Sequence, residues 1–169
     1  MRYSTYVNQE SWLAVVGYED SYEVSNAGRV RSIDRIVIRK NGSPMPYQSQ
    51  IISPFRSPPM NYLTVALKRG GQKRNRRIHV LVAEAFLGPK PTAKAEVCHA
   101  NGNKDDNRPE NLYWGTHSQN IQDAVRHGTH VHARKTHCHR GHDLSVHGYK
   151  KPSGGRQCRA CQGRSTTYA

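Results

Sequence analysis

The sequence predicts a mixed α+β protein assembled from three small modules. The chain has 169 residues with 35% hydrophobic content, so it can bury one modest core or a few small ones. Short apolar runs broken by turn residues fill the first part of the chain, and a hairpin followed by a helix pattern occupies the centre. The end of the chain has too few large apolar side chains to fold without a cross-link such as a bound metal ion. The predicted modules are residues 8–57, 60–128 and 134–169.

The N-terminal module is expected to be rich in β-strands. A turn cluster at Ser25–Gly28 separates two apolar runs. The Asn-Gly pair at Asn41–Gly42 is a strong hairpin signal, which predicts strands over Arg35–Arg39 and Tyr47–Ser53. Several prolines follow and restrict regular pairing, so Ser53–Met60 is the expected linker.

A second hairpin is predicted to carry a cationic tip. Tyr62–Leu67 alternates as a strand, a basic turn follows, and the chain returns to a histidine, His79, at the start of a helix over Val80–Leu87. His79 is interpreted as a cap or a core residue rather than a catalyst. A hairpin tip with this charge density is suited to contact a nucleic-acid groove or backbone, and a merely solvated loop is the alternative. The cations concerned are Lys68, Arg69, Lys73, Arg74, Arg76 and Arg77.

The charge balance indicates a polyanionic partner. Lys and Arg number 26 against 12 Asp and Glu, which gives a formal net charge of +14. A polyanionic partner is the expected one on charge alone, and a generally basic, ribosomal-type protein is the alternative. No apolar run approaches the roughly 20 residues that cross a bilayer. The N-terminus lacks the apolar segment of a secretory signal, so a reducing cytoplasm is expected, in which the four cysteines form no disulfides.

The stretch Val97–Asn120 gathers polar side chains at one end of a hairpin. A short strand ends at His99, a polar turn follows, and Leu112–Trp114 form the return strand. The capping-box spacing of Thr116–Gln119 predicts a helix start close to Ser118, with Asn120 in the first turn. Phosphodiester hydrolysis needs a base, a metal ion and a rigid support, and histidine suits the first task because its pKa is near neutral.

Short motifs between residues 77 and 128 carry a family resemblance. They are Val97-Cys98-His99, Asn101-Gly102-Asn103, Asp106-Asn107-Arg108, Glu110-Asn111-Leu112, Trp114-Gly115-Thr116 and Asn120. On these motifs the chain resembles the HNH endonuclease family, which implies a ββα-metal (HNH) nuclease core. The resemblance gives His99 the position of the general base, Asn111 that of the asparagine that ties the loop, and Asn120 that of a metal ligand. It also implies a divalent ion, either Mg²⁺, Mn²⁺ or a softer ion such as Zn²⁺.

One position departs from the family pattern. Members often place an aspartate directly before the base as the other metal ligand, and this chain has Cys98 there. A thiol is a poor partner for Mg²⁺ and a good one for Zn²⁺, and strict strand alternation sends Cys98 and His99 to opposite faces. Three interpretations stay open: Cys98 is an unusual ligand, another residue replaces it, or the site is inactive. The replacements considered are Asp105, Asp106 and His117.

The N-terminal module carries its own resemblance. The residues concerned are Trp12, Gly17-Tyr18, Tyr22, Val24-Ser25-Asn26, Gly28-Arg29-Val30 and Arg31-Ser32. They resemble the DNA-binding module that accompanies many phage and intron HNH nucleases. Arg29 and Arg31 are the residues expected to contact phosphates. The alternative is that the aromatic residues fill a small core while the arginines are solvated.

The last module contains a predicted structural zinc site. Its C-x3-H and C-x2-C clusters supply four ligands of the right type, namely Cys138, His142, Cys158 and Cys161. His137 or His139 is an alternative fourth ligand, and free cysteines in a disordered tail are the alternative to any site. Because protein groups would fill all four positions, no chemistry is expected at this ion. Its expected role is to hold a basic surface against DNA, formed by Arg156, Arg159 and Arg164.

These observations favour a metal-dependent HNH DNA endonuclease of phage or homing type that nicks or cuts duplex DNA. His99 would activate a water, and Arg108 or Arg126 would add charge neutralisation. The products implied by the resemblance carry 5′-phosphate and 3′-hydroxyl ends, and a monomer is expected. The alternative is a non-catalytic DNA-binding protein whose HNH site has decayed at Cys98.

Overall fold

The structure is a computed structural model that describes residues 9–152 and 154–162. It contains two compact units, one ending at Asp123 and the other beginning at Ala124. The strands are β1 (Trp12–Ala14), β2 (Tyr22–Ser25), β3 (Val30–Ser32), β4 (Arg35–Ile38), β5 (Pro44–Tyr47), β6 (Phe55–Ser57), β7 (Tyr62–Arg69), β8 (Gln72–Arg77), β9 (Glu96–His99), β10 (Leu112–Gly115), β11 (Gly148–Lys150) and β12 (Arg156–Cys158). The helices are α1 (Ile78–Val82), α2 (His117–Arg126), α3 (Val131–Arg134) and α4 (Leu144–His147). The predicted α+β class is confirmed.

The strands of the first unit form small antiparallel sheets. Their orders are β1-β2-β3, β4-β5, β6-β7-β8 and β10-β9, and β11-β12 is a hairpin in the second unit. Short sheets of this kind cannot each bury a core, and three of the sheets in the first unit contribute strands to one shared core. The α1 helix continues as a π-helix over Ala83–Leu87 and ends at Gly88, whose φ of 88° lies in the region that favours glycine. No helix in the described part of the chain is long and apolar enough to span a membrane.

A single hydrophobic core joins β2, β3, β7, α1 and β10. It draws on residues of both the 8–57 and the 60–128 predicted modules, whose boundaries stay predictions. Alternation along β7 points Val65 and Leu67 into this core, while the cations of β8 stay at the surface. The core residues are Val15, Tyr18, Tyr22, Val24, Val30, Val65, Leu67, Ile78, Leu81, Val82 and Leu112.

Two expectations for the N-terminal half were wrong. The partner of β4 is Pro44–Tyr47 and not Tyr47–Ser53, because the Asn41–Gly42 turn closes tightly and places Ile38 opposite Pro44. The prolines of β5 are tolerated because it is an edge strand, where a missing N–H has no ladder partner to lose. The predicted linker Ser53–Met60 also contains a strand, since β6 pairs with β7.

Candidate functional site

A hairpin and a helix form the centre of the candidate site. Strand β9 pairs with β10, with His99 opposite Leu112, and α2 begins at His117, close to the predicted Ser118. The predicted capping box is confirmed by two hydrogen bonds. The Thr116 amide donates to Gln119 Oε1 at 2.7 Å, and the Gln119 amide donates to Thr116 Oγ1 at 3.2 Å.

The side chain of Asn111 bridges two parts of the loop between the strands. Its Nδ2 donates to the carbonyl oxygen of Asp106 at 2.7 Å, and its Oδ1 accepts from the amide of Asn101 at 3.0 Å. The Asn111 side chain is buried. An unpaired amide at such a position would be costly, so both bonds restrain the loop.

Polar side chains of the same loop hold its shape. Asn101 Oδ1 accepts from the amide of Asn103 at 2.8 Å, and Asn101 Nδ2 donates to Asp106 at 3.0 Å. Arg108 Nε donates to Asp106 Oδ1 at 2.8 Å, and this guanidinium lowers the pKa of the Asp106 carboxyl to about 2. Asp105 pairs with Arg56 at 3.0 Å. Both loop aspartates are thus engaged by arginines.

The imidazole of His99 is 8% exposed and is held by a neighbouring amide. Its Nε2 lies 3.1 Å from Asn107 Oδ1, and an amide oxygen can only accept, so Nε2 carries the hydrogen and Nδ1 keeps the lone pair. Burial lowers the pKa of His99, which keeps the ring neutral at neutral pH. A neutral ring with a free lone pair can accept a proton.

Asn107 itself is fixed by close packing against the N-terminal half. Gly28 has a φ of 74°, and a Cβ at this position would lie 3.1 Å from Asn107 Cβ. Sequence reasoning included both residues in family motifs and assigned a role to neither. Only the folded chain shows that Gly28 allows this approach.

Two aromatic rings pack on His99. The Tyr62 ring is stacked at 6.2 Å between centroids, and the His79 ring lies edge-on at 5.2 Å. His79 is buried within α1, and burial lowers its pKa to about 3, so it is neutral. Among the described residues, His79 Nδ1 has no hydrogen-bond partner. The sequence offered the core placement of His79 but not its contact with His99.

Cys98 lies within the hairpin, on the face of β9 opposite His99. Its side chain is 1% exposed, and its Sγ would be 3.0 Å from a Cβ at Gly115. Burial raises the pKa of the Cys98 thiol, which therefore stays protonated at neutral pH. The assignment of Cys98 as a metal ligand stays a prediction.

Asn120 contacts a carboxylate that the sequence did not single out. Its Nδ2 donates to Glu96 Oε2 at 2.8 Å, and His117 Nδ1 lies 3.0 Å from Glu96 Oε1. The hydrogen bond from Asn120 lowers the pKa of the Glu96 carboxyl most, which keeps it ionised. Three groups able to bind a metal therefore meet where β9 approaches α2.

A cavity of about 480 Å³ lies beside these groups. It is lined by cationic, acidic, aromatic and amide side chains, a mixture that suits a phosphate and a cation together. The lining residues are Met60, Tyr62, Arg77, His79, Val80, Glu84, Lys90, Ala95, Glu96, Val97, Trp114, His117 and Asn120.

The second unit contains a cluster of three cysteines and one histidine. The ligand atoms of Cys138, His142, Cys158 and Cys161 all lie within 4.8 Å of one another. Cys138 Sγ is 3.4 Å from His142 Nδ1 and 3.7 Å from Cys161 Sγ. A tetrahedral zinc ion places its S and N ligands about 3.5–3.8 Å apart, so the cluster is compatible with structural zinc. His142 is the histidine in this cluster, rather than the alternatives His137 and His139.

The N-terminal arginines are held by acidic and aromatic partners. Arg29 pairs with Glu10, and Arg31 pairs with Glu23 at 2.6 Å. The Arg31 guanidinium also lies 4.2 Å from the ring centroid of Trp12. To contact a phosphate as predicted, each arginine would therefore have to bind the phosphate and its glutamate together or leave the glutamate.

The other predicted DNA contacts divide into exposed and engaged cations. Lys68, Lys73 and Arg74 are exposed on the β7–β8 hairpin. The remaining cations have these positions: Arg69 donates to the Gly17 carbonyl, Arg76 pairs with Glu84, Arg77 lies over Tyr62, Arg108 pairs with Asp106, Arg126 is exposed in α2, Arg156 donates to the His132 carbonyl, and Arg159 lies over Tyr149. Arg164 lies outside the described residues.

Comparison with known proteins connects this geometry to a family. The HNH endonuclease family model matches residues 76–122, and the NUMOD4 motif matches residues 10–68. The chain is 33% identical over 118 residues to DNA endonuclease I-HmuI of Bacillus phage SP01, a match that covers 70% of this chain and 59% of that protein. It is 36% identical over 129 residues to an HNH endonuclease of Acanthamoeba polyphaga mimivirus, covering 73% of this chain and 28% of that protein.

A solved structure gives the same relationship. The solved structure concerns DNA binding and cleavage by the HNH homing endonuclease I-HmuI. The two chains align with a TM-score of 0.56 at 26% sequence identity, over 87% of this chain and 76% of that chain. The chain spans about 59% and 28% of the length of the two curated relatives. The chain therefore contains a domain that matches the HNH endonuclease family, preceded by a NUMOD4 motif, and it is homologous to the phage homing endonuclease I-HmuI.

Proposed function

We propose that this protein is a metal-dependent DNA endonuclease that hydrolyses phosphodiester bonds of duplex DNA by nicking or double-strand cleavage. The observation that carries the proposal is the state of His99, which is buried, neutral and held through Nε2. A base poised in this way, at the end of a strand in a domain of the HNH family, suits the activation of water.

The chain's own residues supply most of the chemistry. His99 accepts the proton of the attacking water at Nδ1, Asn107 fixes the ring, and Asn111 keeps the loop rigid around it. Attack at phosphorus breaks the bond to the 3′ oxygen and leaves 5′-phosphate and 3′-hydroxyl ends. Asn120 would hold a divalent ion, whose chemistry is charge neutralisation at the phosphate and the leaving oxygen.

The binding of DNA is assigned to several surfaces. The exposed cations of the β7–β8 hairpin would contact the backbone, and the N-terminal arginines and the basic second unit would extend this contact. Zinc in the Cys3His cluster would be structural, because four protein ligands leave no open position. A monomeric state and a cytoplasmic location stay predictions.

A nicking assay tests the proposal. The substrate is supercoiled plasmid carrying fragments of the genome that encodes the chain, with Mg²⁺, Mn²⁺, Ni²⁺ or Zn²⁺. Wild type should nick it, and His99→Ala should be slower by about 10²–10⁴-fold with unchanged DNA affinity, since only the base is lost. His139→Ala, a histidine outside the zinc cluster, is the matched control and should nick at the wild-type rate.

The second candidate is a DNA-binding protein with a decayed site. It is favoured by one observation, the buried thiol of Cys98 where the family often has an aspartate. If wild type and His99→Ala both leave every plasmid intact with all four ions while both bind duplex DNA, the endonuclease proposal fails and this candidate replaces it.

A further inference from the structure

The junction between β9 and α2 contains a carboxylate in a position to bind a cation. Glu96 is two residues before Cys98 on the same face of β9, and both of its oxygens have partners on α2. Oε2 accepts from Asn120 Nδ2 at 2.8 Å, and Oε1 lies 3.0 Å from His117 Nδ1. The Glu96 side chain is 39% exposed, so an ion can reach it.

Other carboxylates and the thiol are less suited to this task. Hard ions such as Mg²⁺ and Mn²⁺ select oxygen ligands. The Cys98 thiol is only 1% exposed, so an ion has little access to it. The loop residues Asp105 and Asp106 are each paired with an arginine, Asp105 with Arg56 of β6 and Asp106 with Arg108. Glu96 is the carboxylate that contacts Asn120, the residue already assigned to the ion.

A separate observation points to a ligand in the adjoining cavity. His79 lines the cavity together with Glu96, His117 and Asn120. It is 4% exposed, and its Nδ1 has no hydrogen-bond partner among the described residues. A buried polar atom without a partner is costly and marks a place where a water, an ion or a phosphate oxygen completes the site. Arg77 and Lys90 on the same wall add the positive charge that a phosphate requires.

We propose that Glu96 is the carboxylate ligand of the divalent ion and that it acts with Asn120 and His117. The ion takes the place of the hydrogen bonds that now join the three side chains, so that the Asn120 amide oxygen and the Glu96 carboxylate both face it. Cys98 has a packing role within the hairpin. This inference rests on the proposed function, because it names the ligands of the ion that the endonuclease uses.

The binding of Mn²⁺, measured by electron paramagnetic resonance on the zinc-loaded full chain, tests the ligand set. The titration is made with and without a duplex oligonucleotide. Glu96→Gln should weaken Mn²⁺ binding by at least about tenfold, because a neutral amide replaces the charged oxygen ligand. Glu110→Gln, which changes an exposed carboxylate in the same hairpin loop, is the matched control and should bind Mn²⁺ as wild type does.

Two further variants separate the ligands from the packing residues. His117→Ala should also weaken Mn²⁺ binding, whereas Cys98→Ser should leave it unchanged. Thermal unfolding of each variant checks that the fold persists. Mn²⁺ affinity that is equal in Glu96→Gln and wild type, or lost in Cys98→Ser alone, overturns the inference, as does a wild type that binds no Mn²⁺ in either titration.

The outcomes also distinguish this inference from the proposed function. Binding of Mn²⁺ that depends on Glu96, in a protein that leaves plasmid DNA intact, supports the ligand set and contradicts the endonuclease. Nicking that depends on His99, with Mn²⁺ binding that does not depend on Glu96, supports the endonuclease and contradicts the ligand set.

Discussion

Two groups of side chains able to bind a metal, both within the described residues, differ in closure and in chemistry. In the second unit, three thiols and one imidazole converge within 4.8 Å. In the first unit, a carboxylate, an amide and an imidazole meet beside a cavity of about 480 Å³. Soft ligands that fill a tetrahedron suit an ion that holds a fold, and oxygen ligands beside open space suit an ion that works on a substrate.

The two units differ in how much apolar surface they bury around these groups. The first unit has an extended apolar core that joins several of its strands and α1. In the described part of the second unit, Cys158 is the only buried apolar residue. A chain segment with so little apolar burial requires another source of stability, and a zinc ion in the Cys3His cluster would supply it. The types of the ligand residues alone therefore do not show whether a metal would be structural or catalytic, because the surrounding packing also matters.

The largest expected effect is the loss of the zinc cluster. Cys158→Ser should release zinc and unfold the second unit alone, because zinc binding contributes about 10 kcal/mol or more in small stapled modules. The measurements are the zinc content of the purified protein and the rate at which a protease cleaves the second unit, which begins at Ala124. Cys98→Ser is the matched control, since that cysteine lies outside the cluster and should leave the zinc content unchanged. A folded, protease-resistant second unit in zinc-free Cys158→Ser would contradict the prediction that this unit depends on zinc for its fold.

Acid should weaken the first unit through a different group. The pKa of His79 is lowered to about 3 in the folded state by burial, against about 6.5 in the unfolded chain. The stability that comes from its neutral form is complete above pH 6.5 and is lost as pH falls toward 3, because the unfolded state then binds the extra proton. The expected slope is about 1.4 kcal/mol per pH unit from this residue.

Urea unfolding followed by tryptophan fluorescence measures this slope. Both tryptophans, Trp12 and Trp114, belong to the first unit, so the signal reports that unit. His79→Gln should flatten the pH dependence between pH 7 and pH 5, and His139→Gln should keep it. Equal slopes in His79→Gln and wild type would show that His79 is not buried in the neutral form.

The smallest expected effect is local to the loop that holds His99. Asn111→Ala removes the amide group that donates to the Asp106 carbonyl and the amide oxygen that accepts from the Asn101 N–H. Because both bonds are in a buried setting, the free energy of unfolding should fall by about 2–3 kcal/mol. Asn111→Asp keeps the acceptor and should lose less. Urea unfolding measures both, and the zinc content of both should equal that of wild type. A loss below about 0.5 kcal/mol in Asn111→Ala would show that the loop is held by its other bonds.

Local patterns allowed much of the fold to be predicted. The Asn41–Gly42 hairpin and the capping box at Thr116–Gln119 follow from residues close in sequence, and the four-residue Cys/His cluster follows from two short motifs of zinc-ligand type. The second strand of the first hairpin was placed too late, at Tyr47–Ser53, because prolines hid an edge strand. A motif resemblance also led to the HNH family, which the comparisons confirm.

Residue types and their spacing along the chain were enough to predict where the site lies. The contacts within it follow from the folded arrangement: Asn107 with His99, His79 with His99, and Glu96 with Asn120. These contacts join residues that are 8 to 24 positions apart, and they depend on which face of β9 the core and α2 cover. Strand alternation separates Cys98 from His99, but packing decides that Cys98 is enclosed within the hairpin and that His99 lies against Tyr62 and His79.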